Sequence, residues 1–324
     1  MEGVDGDGRV AESDVDAHEE RRKLSISDLG IQRTPATEQT LFGKSRTWAS
    51  LKASEIIYLA MAFISLIASM GLSIERIISL QKGSSDYTFA LFLLWTTIMC
   101  MFHVLEGVKS EKPCDLLVFV ITSVAVLCYV IFNYATKPND MLKLARMIIG
   151  IVFAPILIGY GLRLAWNYYV SKQLIFRTVQ SANVDLQKMC ELIFVMSSLL
   201  KFDVQLGVST YILYLDKGLT DLSLDEIIII VCGVLATIAW VILGFLAMRY
   251  EKYELVYVFF VTSIIEPILI IYNLTRYSGS KFQALLIAVY TCGVIAIVVR
   301  LITIYCMYRV MNNFGHGLGM KGYY

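Results

Sequence analysis

Two opposite charges, Lys201 and Asp203, stand in the stretch "SSLLKFDVQL", inside a run apolar enough to cross a bilayer. An ionisable group at mid-membrane costs at least ~2.5–3.5 kcal/mol on insertion scales, so it marks a functional site by default. On a helix, two positions amount to about 200° of rotation, so the two charges face nearly opposite ways and cannot pair with each other. Lys201 shares its face with Ser197 and Gln205, each four positions away. Each charge therefore needs a partner from another helix. Glu266, two-thirds along a later apolar run and followed by Pro267, is the expected partner of Lys201. Arg163, Arg300 or a tyrosine hydroxyl could answer Asp203. Two kinds of chemistry fit. One is an intramembrane polar site built from Lys201, Asp203, Gln205 and Glu266, which would relay a proton or ion or hold a small polar solute. The other is a set of structural ion pairs that fix helix register.

Other polar and helix-breaking residues add to this reading. Pro155 in "GIVFAPILIGYG" and Pro267 in "SIIEPILIIY" are expected to kink their helices, each freeing a backbone carbonyl. Broken helices at a polar site are how many transporters bind substrate. His103 and Glu106 share a face at the end of the second apolar run, where solvation at the interface is expected for both. Arg163, Trp166, Asn167, Tyr168 and Tyr169 read as an interfacial aromatic belt. Ser25 follows two arginines and a lysine in "RRKLSIS", a pattern that a basic-directed kinase could use.

Several chemistries lack their residues. There is no HExxH, GxSxG or phosphate-binding glycine loop, which disfavours an enzyme; no catalytic residue and no cofactor are assigned. The seven cysteines form no CxxC pair and the three histidines are scattered, so no metal site is expected. A net charge of +1, with no basic stripe, speaks against a nucleic-acid partner.

These residues must be carried by membrane-spanning helices. The chain is 57% hydrophobic and only 17% charged, and the apolar residues are gathered into long runs. Eight runs reach spanning length, near 56–80, 87–108, 114–135, 142–166, 187–215, 225–248, 254–274 and 281–308. The expected fold is all-α, a polytopic transmembrane bundle of about eight spans occupying 51–310. Residues 1–50 are polar and charged, and read as a disordered cytosolic tail; 311–324 read as a flexible cytosolic tail. The segment 167–186 reads as a helical extension or an interfacial helix. No internal repeat at fixed period is apparent, although the count allows a four-plus-four division. Lysine and arginine are more numerous in the segments on the N-terminal side of the membrane, which places both termini in the cytosol. The lipid bilayer is the partner that composition implies; oligomeric state is left open.

The segment "MCELIFVMSSLLKFDVQLGVSTYILYL" resembles a family of multi-pass fungal Golgi-type membrane proteins, with loosely similar animal sequences. The resemblance rests on Phe194, Leu199, Leu200, Lys201, Phe202 and Asp203, and the sequence departs from it at "VQLGVSTY". It implies an endomembrane location at most, with Golgi or other endomembrane and plasma membrane both left open, and carries no activity. Two functions stay open: a transporter-like or sensor protein with a buried charged site, and a non-catalytic receptor or assembly and trafficking factor of the endomembrane system.

Overall fold

A computed structural model describes residues 37–40, 43–80, 83–136, 141–179, 184–215, 224–277 and 283–315. Ser25 and the turn at Pro138 lie outside the described residues. The fold is an all-α bundle. Its helices are α1 (Ala53–Ser79), α2 (Ser85–Lys109), α3 (Pro113–Thr136), α4 (Met141–Ser171), α5 (Gln173–Val179), α6 (Val184–Leu213), α7 (Leu224–Tyr250), α8 (Tyr253–Thr262), α9 (Ile265–Tyr277) and α10 (Gln283–Met311). Among the described residues, eight spans are long and apolar enough to cross a membrane, with α8 and α9 sharing the seventh. Large apolar side chains such as Ile57, Ile64, Leu235 and Val261 face outward. In water such a surface would drive aggregation; in lipid it is the solvated face.

One feature differs from the sequence reading: the last part of the N-terminal polar region, residues 37–40 and 43–50, is structured. β1 (Thr37–Thr40) and β2 (Gly43–Arg46) form an antiparallel hairpin, with Thr37 opposite Arg46, and a 3-10 turn follows at Trp48–Ser50. The reason is Arg46, only 3% exposed, whose guanidinium ties this arm to the bundle. It donates to Glu55 Oε2 at 3.0 Å, to the Val108 carbonyl at 3.0 Å and to Tyr168 Oη at 3.3 Å, and lies 3.1 Å from Glu111. At Pro155, α4 continues as one helix. The seventh span, where Pro267 is expected to act on its helix, is interrupted between Thr262 and Ile265, ahead of Pro267. Pro267 has no N–H to donate to the carbonyl of Ser263, so the ladder cannot run through. The segment 167–186 holds the end of α4 and the short α5.

The spans form two four-span halves. α1 packs on α2 and α4, α2 on α3, and α3 on α4. In the second half α6 packs on α7 and α10, α7 on α8, and α9 on α10. Each half has its own apolar core, one around Tyr58, Val104 and Phe119 and the other around Met196, Trp240 and Phe259. α6 joins them by also packing on α2 and α3, and it is the most buried span.

The two halves share one short stretch of sequence, at the turns between their second and third spans. Glu111 (φ 53°) and Glu251 (φ 49°) both adopt the left-handed conformation that favours glycine, each in the turn between the second and third spans of its half. Set on these two residues, "EKPCDLLVFVITS" (111–123) aligns with "EKYELVYVFFVTS" (251–263), matching Lys112 to Lys252, Phe119 to Phe259 and Ser123 to Ser263. Elsewhere apolar residues have replaced one another freely, because lipid and a helix core accept any of them. Four crossings per half give both repeats the same orientation in the membrane.

Candidate functional site

The two charges on α6 point to opposite sides and into different halves. Lys201 faces the first half. Its Nζ lies 2.6 Å from Asp115 Oδ2, at the start of α3, and 5.6 Å from the centre of the Phe102 ring. His103 Nδ1, on α2, lies 3.2 Å from the other oxygen of Asp115. All three are buried, His103 and Asp115 completely. The expected pairing of Lys201 with Glu266 is therefore wrong: Glu266 lies beyond the opposite face of α6. The expected solvation of His103 and Glu106 is also wrong. His103 is enclosed, and Glu106 receives Lys112 Nζ at 2.6 Å.

Asp203 faces the second half and pairs with Arg300 of α10. Arg300 Nε donates to Oδ1 at 3.1 Å and NH2 to Oδ2 at 2.6 Å, the two-pronged geometry that suits a guanidinium and a carboxylate. Arg163 is exposed to the outside of α4 and takes no part. The same Arg300 NH2 also donates to Glu266 Oε2, so one guanidinium holds two carboxylates. Thr237 of α7 donates to Glu266 Oε2 at 3.1 Å. The Trp240 ring lies 3.6 Å from the Arg300 guanidinium carbon, and its Nε1 donates to the Phe259 carbonyl at 3.1 Å, tying α7 to the last turn of α8.

Small residues admit these groups. A Cβ added to Gly207 of α6 would sit 2.6 Å from Glu266 Oε1, and one on Gly233 of α7 would sit 2.4 Å from the Tyr211 ring. Glu266 lies in the first turn of α9, just past the break, where the helix's free N–H groups favour a carboxylate. Beside it is a cavity of about 190 Å³ whose lining includes Tyr211, Thr237, Trp240, Glu266 and Arg300.

The remaining expected residues fall on α6 between the two centres. Gln205 Nε2 donates to Thr122 Oγ1 at 3.3 Å, and its backbone carbonyl accepts from Trp95 Nε1 at 3.1 Å. Ser197 is buried on α6. Asp115, Thr237 and Trp240 went unsingled in the sequence reading. Asp115 begins a run directly after a polar turn, where an acidic residue passes as a helix-start signal. Thr237 and Trp240 are ordinary inside an apolar run. No group of three or more metal-ligating side chains occurs among the described residues.

The two halves differ at this point. On the hairpin alignment, Glu266, Thr237 and Trp240 correspond to Val126, Thr97 and Cys100. Those three line a cavity of about 90 Å³ inside the first half. The cavity is thus common to both repeats, and the carboxylate is particular to the second.

A family model matches residues 42–166 and 181–309, most of the chain. The chain belongs to the family described as Domain of unknown function (DUF7789). The two matched segments coincide with the two four-span halves, and the description names no activity. No curated protein and no solved structure matches the chain.

Proposed function

We propose that this DUF7789 protein is a cation-coupled membrane carrier whose coupling site is the Asp203–Arg300–Glu266 centre. One observation carries the reading: Glu266 lines a cavity at the break in the seventh span, where the first half has Val126 at the corresponding place. The first half packs a similar four-span arrangement with Val126 at that place and Tyr160 in place of Arg300, so the charged group is an addition of the second half. Two carboxylates on one guanidinium carry a formal charge of −1, which a proton or another monovalent cation neutralises. An interrupted helix and tandem repeats of equal orientation are architectural features of secondary transporters. The small polar solute or ion carried with the cation would enter beside Glu266.

The Lys201 centre supports the structural reading instead. Its two charges balance, they are closed off, and they line neither cavity just described. It serves as the clamp between halves. Cytosolic placement of both termini, supported by the lysine and arginine distribution, and an endomembrane location, supported by the resemblance of 189–215, complete the proposal; terminal tags read by selective permeabilisation test it.

The carrier reading is tested with purified protein in liposomes under imposed proton, sodium or potassium gradients. Wild type is expected to dissipate at least one of them. Glu266→Gln is expected to lose at least about 90% of that flux, a transition-state loss of about 1.4 kcal/mol or more, while elution volume stays unchanged and melting temperature shifts by no more than a few degrees. A wild type that moves none of the three cations, or a Glu266→Gln variant with full flux, overturns the proposal.

A further inference from the structure

A third cavity lies at the end of the bundle where α2 meets α3, between α3, α4, α5 and α6. It has a volume of about 360 Å³, larger than either cavity above. Its inner wall is apolar, with Leu117, Leu162, Ile175, Phe194 and Val195. At its mouth Trp166 is 66% exposed and Tyr169 50%, their rings 6.1 Å apart. The mouth opens between membrane spans, so the molecules that meet it are lipids.

The polar rim has a balanced charge. Lys172 and Glu191 supply one group of each sign, while Glu111 and Lys112 are buried and already answered by Arg46 and Glu106. Lys172 Nζ and Glu191 Oε2 lie 3.1 Å apart, and both side chains are partly exposed. They stand at helix ends, the depth at which headgroups sit and aromatic side chains gather. Lys172 also has φ 47°, an unfavourable conformation for a lysine that must be over-determined by its surroundings. Glu111 shares that conformation with Glu251 of the other repeat, so the strain at Lys172 is the one particular to this rim.

We propose that this groove binds one zwitterionic glycerophospholipid from the surrounding leaflet. An acyl chain lies along Leu162, Ile175 and Val195. The phosphate meets Lys172, and the headgroup ammonium meets Glu191 and the faces of Trp166 and Tyr169, which attract cations. A lipid of net negative charge would unbalance a rim that already matches a zwitterion. The inference does not rest on the carrier reading.

Native mass spectrometry and lipid extraction, after exhaustive detergent exchange of the full chain, test it. Wild type is expected to keep one phosphatidylcholine or phosphatidylethanolamine per chain. Val195→Trp, which fills the apolar channel, is expected to cut that occupancy at least roughly fivefold, which corresponds to about 1 kcal/mol. Lys172→Gln, on the rim, is expected to weaken retention by a similar factor without altering the channel. Should Val195→Trp lose its monodisperse elution, Leu162→Trp fills the same channel from the other wall. The proposal is overturned if wild type keeps no lipid, if an anionic lipid is kept in preference, or if a folded, filled variant keeps as much as wild type. Flux through the Glu266 site is read separately, so the two proposals can fail independently.

Discussion

Lys201 and Asp203 are neighbours in sequence with different duties in the fold, and substitutions should separate them. Lys201→Met leaves Asp115 buried without its bonded cation, and breaking such a pair costs about 3–5 kcal/mol. Replacing both, Lys201→Met with Asp115→Leu, is expected to recover most of that loss, because whole buried pairs are often dispensable. Thermal unfolding in detergent checks both expectations. Glu266→Gln is expected to behave differently. The amide keeps the carboxylate's shape and leaves the two-pronged Arg300–Asp203 pair intact, so the stability change should stay near 1 kcal/mol. Gly207→Ala is the close-approach test. Its Cβ would press on Glu266 Oε1, and the expected outcome is a loss of about 1–3 kcal/mol, the usual cost of overpacking, together with loss of flux. A rotation argument was enough to show that the two charges on α6 could not pair. Choosing partners was not possible in that way, because Asp115, Glu266 and Arg300 lie far from α6 in sequence and only packing brings them near.

The seventh span shows what one element contributes. Pro267 in the sequence signals an interruption, and the structure places it between α8 and α9, directly before Glu266. Pro155 sends the same signal in α4, yet that helix runs on. A proline marks a missing donor; whether the chain then breaks is decided by what else can satisfy the freed carbonyl and fill the space. At the break in the seventh span the side of α7 takes part, through Trp240 Nε1 and the Phe259 carbonyl. Trp240→Phe keeps a ring beside Arg300 but removes that hydrogen bond. It is expected to cost about 0.5–1.5 kcal/mol and to speed amide hydrogen exchange over 259–266, while exchange in α4 stays unchanged.

At the scale of the whole molecule, the N-terminal arm and the two halves come together through ion pairs that no local pattern announces. Arg46 serves Glu55 of α1, Glu111 of the α2–α3 turn and Tyr168 of α4 at once. Arg46→Ala is expected to lower stability by about 3–5 kcal/mol, since two buried carboxylates lose their cation, and to expose the arm near 37–50 to limited proteolysis. Those residues read as disordered because their composition cannot bury itself; Arg46, buried against the bundle, is what ties them down. Composition and run length alone determined the span count, the all-α class and the membrane environment, because crossing a hydrocarbon layer demands about twenty apolar residues in a self-satisfied helix. Tertiary structure decided the rest. It showed the repeat, since apolar residues interchange too freely to preserve one except at a strained turn. It showed which charge meets which, since a buried charge accepts any partner of opposite sign that packing delivers. It also separated a closed clamp at Lys201 from an acid-lined cavity at Glu266, because space between helices is a property of their arrangement and has no counterpart in the order of residues.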